Sequence, residues 1–144
     1  MMKKMSVRVS GDVRPSKALH LGLWVVQGLL GALFLAVGAM KATQPIAVLG
    51  DTLGWPAAVP AALVRVIGVA ELLGGLGLIL PAATRVKPML TPLAGVGLAM
   101  VMLLAAIFYI SRGELGALPI PLVLGGLAAF VAWGRAAKAP IAPR

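Results

Sequence analysis

The chain has 144 residues, of which 60% are hydrophobic and 12% are charged, and its mean hydropathy is +1.02. Soluble domains carry about 25% charged residues, so this composition excludes an ordinary soluble globular protein and indicates a membrane protein. The absence of cysteine excludes disulfides, thiolate metal sites and cysteine-based redox chemistry. The net charge of +9 would suit nucleic-acid binding, but the positions of the charges argue against that interpretation.

Four apolar runs follow a basic N-terminal segment, and they cover residues 19–40, 61–80, 92–110 and 117–133. A helix needs about 20 residues to cross ~30 Å of hydrocarbon, and the first three runs have that length. The fourth run is short, so we expect it to stand upright or to use the interface around Trp133. Because the runs lack the alternation of a β-barrel, the sequence predicts an all-α fold, a four-transmembrane-helix antiparallel bundle.

The chain is expected to divide into three regions. Residues 1–18 form a basic cytoplasmic segment, residues 19–135 form the four-helix membrane domain, and residues 136–144 form a cytoplasmic tail. The longest connection, residues 42–60, contains Trp55 and three prolines. Tryptophan favours the headgroup level, so we expect a structured segment in the outer interface there. The connections at residues 81–91 and 111–116 are short.

The cations concentrate on one side of this predicted bundle. That side carries Lys3, Lys4, Arg8, Arg14, Lys17, Arg85, Lys87, Arg135, Lys138 and Arg144. The opposite side has Lys41 and Arg112, with Arg65 just inside it. The positive-inside rule therefore predicts an integral protein of a bacterial inner (cytoplasmic) membrane with both termini in the cytoplasm. Membrane lipids, rather than nucleic acid, are the expected partners of the surplus charge.

Glu71 lies near the middle of the second apolar run, where only Arg65 shares the charge of the segment. A carboxylate inside a membrane is costly and usually faces a bundle interior or a cavity. Gly68 and Gly75 share the helical face of Glu71, which favours close helix packing there. Gly31 and Gly38 of the first helix, and Gly95 with Ala99 of the third, are candidates for the matching surfaces.

Three arrangements are open for Glu71. Arg65 is six residues away, about 120° around the helix, and its side chain leans toward the N-terminus, so a direct pair within the helix is not expected. Glu71 must find a donor on another helix, bind water or a ligand, or stay protonated. If Met40 is level with Ala61, then Glu71 is level with Leu30, and Gln27 becomes the first candidate donor.

The remaining polar residues lie toward the outer end of the bundle. Lys41, Arg65, Tyr109, Arg112 and Glu114 are predicted to surround a polar mouth whose floor is Glu71. The alternative is that Lys41 and Arg65 extend separately to lipid headgroups. The single histidine, His20, is interpreted as an interfacial polar residue, and no metal site is predicted. The spacing of a nucleophile, a phosphate loop or a metal-ligand set is absent from the sequence.

Several segments resemble the DoxX-like family of small four-helix membrane proteins. They are residues 38–41 (GAMK), 65–74 (RVIGVAELLG), 78–81 (LILP), 111–114 (SRGE) and 130–135 (FVAWGR). The resemblance implies a four-helix bundle whose shared polar positions are Lys41, Arg65, Glu71, Arg112 and Glu114. Members often carry a histidine near the end of the third helix, where this chain has Tyr109. That departure weakens any transfer of histidine-dependent chemistry.

The resemblance leaves the function open between three hypotheses. The favoured one is binding of an apolar or amphipathic small molecule, a lipid or a quinone, beside Glu71. The second is a membrane subunit of a quinone-linked redox complex, and the third is an assembly factor for another membrane protein. No cofactor other than quinone is suggested, and the chain is not expected to be catalytic by itself. A homo-oligomer or a membrane-protein partner is compatible with each hypothesis.

Overall fold

A computed structural model describes residues 16–143 of the chain. These residues form five α-helices: α1 (Lys17–Thr43), α2 (Ile46–Leu53), α3 (Ala61–Thr84), α4 (Leu90–Ser111) and α5 (Pro119–Trp133). Short 3-10 turns occupy Trp55–Ala58 and Leu115–Ala117, and a π-helical turn follows α5 at Gly134–Lys138. The described part of the chain contains no strand, so the prediction of an all-α fold is confirmed. Most of the predicted N-terminal segment, residues 1–15, lies outside the described residues.

Four segments are long and apolar enough to cross a membrane. They are Lys17–Thr43, Ala61–Thr84, Leu90–Ser111 and Leu115–Lys138. The fourth has 24 residues, which is longer than the apolar run predicted from the sequence. The 3-10 turn before α5 and the π-helical turn after it supply the added length, so no unusually upright helix is needed.

The spans pack as two extensive antiparallel pairs, α1 with α3 and α4 with α5, and α3 also packs against α4. Gly38 meets the backbone of Gly68 while Gly31 meets that of Gly75, and this reversed order shows that α1 and α3 run antiparallel. In the same way Gly95 packs against Ala128 and Ala132 of α5. The predicted four-helix antiparallel bundle is therefore confirmed.

The apolar core lies where all four spans meet. It contains Leu30, Phe34, Leu78, Leu98, Met102, Ala128 and Val131. Many large apolar side chains on the outer faces are exposed, as is typical of helices that contact lipid rather than water.

Two local features shape the helices near this core. Proline has no N–H, so Pro81 inside α3 leaves the carbonyl of Gly77 without its usual helical donor. The buried hydroxyl of Thr91 at the start of α4 donates to that carbonyl over 3.0 Å. The hydrogen bond thus joins the end of α3 to the start of α4 and repairs the break that proline causes.

The connection between α1 and α3 is structured, as the sequence predicted. Helix α2 and the 3-10 turn at Trp55–Ala58 fill it, with Leu49 and Pro56 buried. Gly54 joins the two pieces with a φ of 85°, a backbone conformation that favours glycine.

The two ends of the bundle differ in charge. We call the end that carries Lys17, Arg85, Lys87, Arg135 and Lys138 the basic end; among the described residues it has no carboxylate. We call the other end, with Lys41, Arg65, Arg112, Asp51, Glu71 and Glu114, the balanced end, because its three cations match its three carboxylates. The two ends therefore present different surfaces to their surroundings.

Candidate functional site

A buried ion pair joins the end of α1 to the middle of α3. The Lys41 ammonium group donates to Oε1 of Glu71 over 2.8 Å, and the side chains are 9% and 1% exposed. Glycines make this contact reachable. Gly68, one turn before Glu71, lies directly against the Cβ of Lys41, and Gly38 lies against the backbone of residues 68–72. Any side chain at these two positions would force α1 away from α3.

Arg65 binds the end of α1 that carries Lys41 and makes no hydrogen bond to Glu71. Its Nη1 donates to the carbonyl oxygens of Lys41, at 2.9 Å, and Gln44, at 2.6 Å. These carbonyls end α1, where the helix dipole places partial negative charge and no further helical N–H is available. Arg65 therefore caps the helix that carries Lys41 and makes its hydrogen bonds there rather than to Glu71.

The segment between α1 and α3 closes the site from the balanced end. The Lys41 ammonium lies 5.2 Å from the centre of the Trp55 ring, a cation–π distance. Trp55 belongs to the 3-10 turn that follows the amphipathic helix α2. One cation thus contacts both a carboxylate at membrane depth and an aromatic ring of the connecting segment.

The ion pair leaves hydrogen-bonding capacity unused. Within the described residues, Oε2 of Glu71 accepts no hydrogen bond, and the Lys41 ammonium donates only to Oε1. A lysine ammonium has three donor protons, and a carboxylate oxygen has two lone pairs. The site can therefore present an acceptor and a donor to a small polar group.

The predicted polar mouth is only partly formed. Lys41, Arg65 and Glu71 come together, but Arg112 pairs with Glu114 over 3.0 Å, with both side chains 41% exposed. The Tyr109 ring meets Phe108 edge-on at 6.0 Å. Among residues 16–143, no hydrogen bond, ion pair or ring contact links Tyr109, Arg112 or Glu114 to the buried pair.

The prediction that Gln27 is the donor for Glu71 is wrong. Gln27 is fully buried, but its Nε2 donates to the carbonyl of Leu78 over 2.7 Å, and its Oε1 accepts from Arg135 Nε over 2.5 Å. The physical reason is helix register. The glycine contacts set Gly38, rather than Leu30, level with Glu71, a shift of eight residues or about 12 Å along the axis.

A second polar cluster surrounds Arg135 near the basic end. This guanidinium is 2% exposed and donates to Gln27 Oε1, to the carbonyl of Ala139 and to Nδ1 of His20. It also lies 5.5 Å from the centre of the Trp24 ring. The sequence interpretation missed this cluster because it treated Arg135 only as topological charge. The available signal was the spacing of His20, Trp24 and Gln27, which puts three polar or amphipathic side chains on one face of α1.

An apolar groove of 370 Å³ runs between α3 and α4 on the lipid-facing surface. Small residues form much of it, among them Ala70, Gly74, Gly77, Ala94 and Gly97. Its end at Ala70 is one residue from Glu71 along α3, although the two side chains point to different faces.

Among the described residues, no three His, Cys, Asp or Glu side chains lie together as metal ligands, and the sequence prediction of no metal site stays a prediction.

Together, these features define an integral membrane protein built as a small four-helix bundle with a buried polar pair. The model of the DoxX-like family matches residues 25–131, which are 107 of the 144 residues. The chain belongs to the DoxX-like family, as its sequence motifs indicated. No curated protein and no solved structure matches the chain.

Proposed function

We propose that this membrane protein binds an apolar or amphipathic small molecule, a lipid or a quinone, at the polar site around Glu71. The observation that carries the proposal is the buried Lys41–Glu71 pair with an unused acceptor and unused donor protons. A buried ion pair is weak evidence for stability, because the desolvation of both charges offsets much of their attraction. Ionisable residues at membrane depth are commonly functional instead.

The free atoms suggest which chemical groups the site would bind. Oε2 of Glu71 would accept from a hydroxyl, and the Lys41 ammonium would donate to a carbonyl or hydroxyl oxygen. A quinol, a quinone or a lipid with a glycerol hydroxyl carries such groups on an apolar body. The Trp55 ring beside Lys41 adds an apolar wall on the side of the balanced end.

We place the apolar part of the same molecule in the groove between α3 and α4. It has a volume of 370 Å³ and is open along its length rather than an enclosed cavity. Gly97 lines it, and a Cβ at this position would meet no atom within 4 Å. The first carbon of a larger side chain at Gly97 would therefore meet no obstacle, and we expect the rest of that side chain to lie in the groove.

The proposal is tested by extracting the protein in its native lipid and identifying retained lipids and quinones by mass spectrometry. Glu71→Gln keeps the shape of the side chain but removes its charge, and we expect the retained molecule to fall about ten-fold or more, the loss of one charge-assisted hydrogen bond. Glu114→Gln is the matched control, because Glu114 belongs to the exposed pair, and it should change nothing.

Gly97→Leu tests the groove separately from the charge. We expect this variant to fold normally and to retain less of the bound molecule. If the Glu71→Gln and Gly97→Leu proteins both keep the full wild-type complement of small molecules, the binding proposal fails. Retention of a second protein with no small molecule would instead favour the role of an assembly factor, and recovery of a redox partner with quinone would favour a redox-complex subunit.

We further propose that the basic end faces the cytoplasm of a bacterial inner membrane, with both termini on that side. The support is the charge asymmetry, five cations and no carboxylate at the basic end against three of each at the other, counted over the described residues. The chain has no cysteine, so single cysteines can be introduced at the exposed positions Lys87 and Asp51. An impermeant thiol reagent applied to intact cells should label Asp51→Cys and spare Lys87→Cys; the reverse pattern would overturn this orientation.

A further inference from the structure

The Arg135 cluster contains a buried cation whose hydrogen bonds all go to neutral groups. Its acceptors are the Gln27 amide oxygen, the Ala139 carbonyl and the His20 ring nitrogen. A guanidinium only donates hydrogen bonds, so His20 Nδ1 must accept, and the imidazole in this contact is the neutral form protonated at Nε2. Among residues 16–143, no carboxylate pairs with Arg135.

One nitrogen of the same guanidinium has no hydrogen-bond partner among the described residues. Nη2 of Arg135 is fully enclosed, and in this part of the chain it is the one fully enclosed side-chain nitrogen or oxygen without a hydrogen bond. Buried polar groups are almost always paired, and a buried charge without a counter-charge costs several kcal/mol. The other three acceptors hold the guanidinium in place and leave its remaining edge for an oxyanion.

The surroundings favour an anion on electrostatic grounds. The basic end carries Lys17, Arg85, Lys87 and Lys138 in addition to Arg135, and the described residues there include no carboxylate. Nη2 carries two N–H protons, and hydrogen bonds from a guanidinium to a phosphate oxygen are charge-assisted and therefore among the strong ones.

The segment 139–143 lies next to the guanidinium. It is not helical, and its Ala139 carbonyl is one of the groups bound to Arg135. Two other hydrogen bonds hold the segment, from Ala139 N–H to the Gly134 carbonyl and from Arg85 Nε to the Ala142 carbonyl. The segment lies beyond Lys138, where the fourth span ends, so it can move without unwinding any of the four spans.

We propose that Arg135 is an anion-binding site for the phosphate group of an anionic phospholipid, on the face where α1 meets the end of the α5 span. This site is separate from the Lys41–Glu71 pair and does not depend on the function proposed for that pair. Gln27, His20 and Trp24 orient the guanidinium, and Nη2 donates to the phosphate oxygens.

The test uses the full chain reconstituted in phosphatidylcholine bilayers, with and without phosphatidylglycerol. We expect phosphatidylglycerol to raise the Tm of the wild-type protein and to be retained in native mass spectrometry. Arg135→Gln should lower that retention roughly ten- to hundred-fold, the loss expected for a charge-assisted hydrogen bond to phosphate. Lys138→Gln is the control, because Lys138 is exposed and lies 6.0 Å from the centre of the Trp133 ring, and it should retain the lipid.

A second variant keeps the proposal testable if Arg135→Gln does not fold. Arg135→Met combined with Gln27→Leu removes both partners of a buried hydrogen bond together, and such paired replacements are tolerated far better than single ones. This double variant should fold in phosphatidylcholine and gain no Tm from phosphatidylglycerol.

Further measurements identify the source of the anion. If inorganic phosphate added to phosphatidylcholine bilayers raises the wild-type Tm as much as phosphatidylglycerol does, the oxyanion site stands but its ligand is free phosphate. Equal phosphatidylglycerol retention by the wild-type and Arg135→Gln proteins would overturn the site. The proposal would also be overturned if phosphatidylglycerol raised the Tm of Asp12→Asn but not that of the wild-type protein, since Asp12 would then be the counter-charge of Arg135.

Discussion

The close contact between α1 and α3 predicts that two glycine-to-alanine substitutions in α1 differ strongly in their effect on stability. A Cβ at Gly38 would lie 2.6 Å from the backbone nitrogen of Leu72 and 2.7 Å from the carbonyl oxygen of Gly68. Ordinary contact begins at 3.4 Å, so Gly38→Ala requires the helices to move apart by the difference, 3.4 − 2.6 = 0.8 Å. Both obstacles are backbone atoms, which cannot rotate away.

The energies follow from this overlap. Overpacking of this kind lowers the free energy of unfolding by about 1–3 kcal/mol. Because the neighbouring atoms are rigid, we expect a loss of about 3 kcal/mol for Gly38→Ala. Alanine recovers about 1 kcal/mol through its helix propensity, which leaves a net loss of about 2 kcal/mol. Gly28→Ala, in the same helix, meets no atom within 4 Å and should gain up to about 1 kcal/mol.

The assay is equilibrium unfolding in mixed detergent micelles, followed by tryptophan fluorescence. We expect Gly38→Ala to unfold at a lower denaturant fraction than the wild-type protein, and Gly28→Ala at an equal or higher one. The two variants should differ by about 3 kcal/mol in the free energy of unfolding. Equal stabilities of the two alanine variants would refute the close approach of α1 and α3, and with it the register that pairs Lys41 with Glu71.

Two further predictions concern hydrogen bonds at the helix ends. Arg65→Met should remove the cap on the last turn of α1 and lower the free energy of unfolding by about 1–3 kcal/mol. Hydrogen–deuterium exchange at residues 40–44 should then accelerate, and unchanged protection would contradict the capping role. Thr91→Val should cost about 1 kcal/mol by leaving the Gly77 carbonyl unpaired. In a Pro81→Ala background, where residue 81 regains an N–H, the cost should disappear; the same cost in both backgrounds would contradict this explanation.

Composition and periodicity were sufficient to predict the architecture. Runs of apolar residues determine where a chain can cross a bilayer, so the four spans and their antiparallel order could be predicted directly. The glycine face shared by Gly68, Glu71 and Gly75 was also informative, because small residues can pack closely only against another helix. The prediction that Gly31 and Gly38 form the matching surface is confirmed.

The partner of Glu71 could not be predicted, because it depends on how far one helix slides along the other. The estimate that set Met40 level with Ala61 assumed that α1 and α3 meet at matching ends. In the structure α1 extends to Thr43, and the glycine contacts set the depth, so Lys41 reaches Glu71 and Gln27 does not. This displacement of eight residues exchanges one polar partner for another.

The Arg135 cluster could not be predicted from the sequence for a different reason. Its members are far apart in sequence, with His20 and Gln27 on α1 and Arg135 beyond α5. The apolar run ends at Trp133, so the sequence alone places Arg135 among the cations of one side of the bundle. The π-helical turn continues the span to Lys138 and carries Arg135 into the interior, where it is 2% exposed.

The central claim is that the Lys41–Glu71 pair serves a bound molecule rather than the stability of the bundle. Its most direct test is the double variant Lys41→Met, Glu71→Met, which replaces both charges with apolar side chains of similar volume. Because well-packed apolar replacements of buried ion pairs are often neutral or stabilising, we predict that the free energy of unfolding is unchanged or higher while the co-purifying small molecule is lost. A protein that unfolds on loss of the pair, or one that folds and keeps its full complement of bound molecules, would contradict the account.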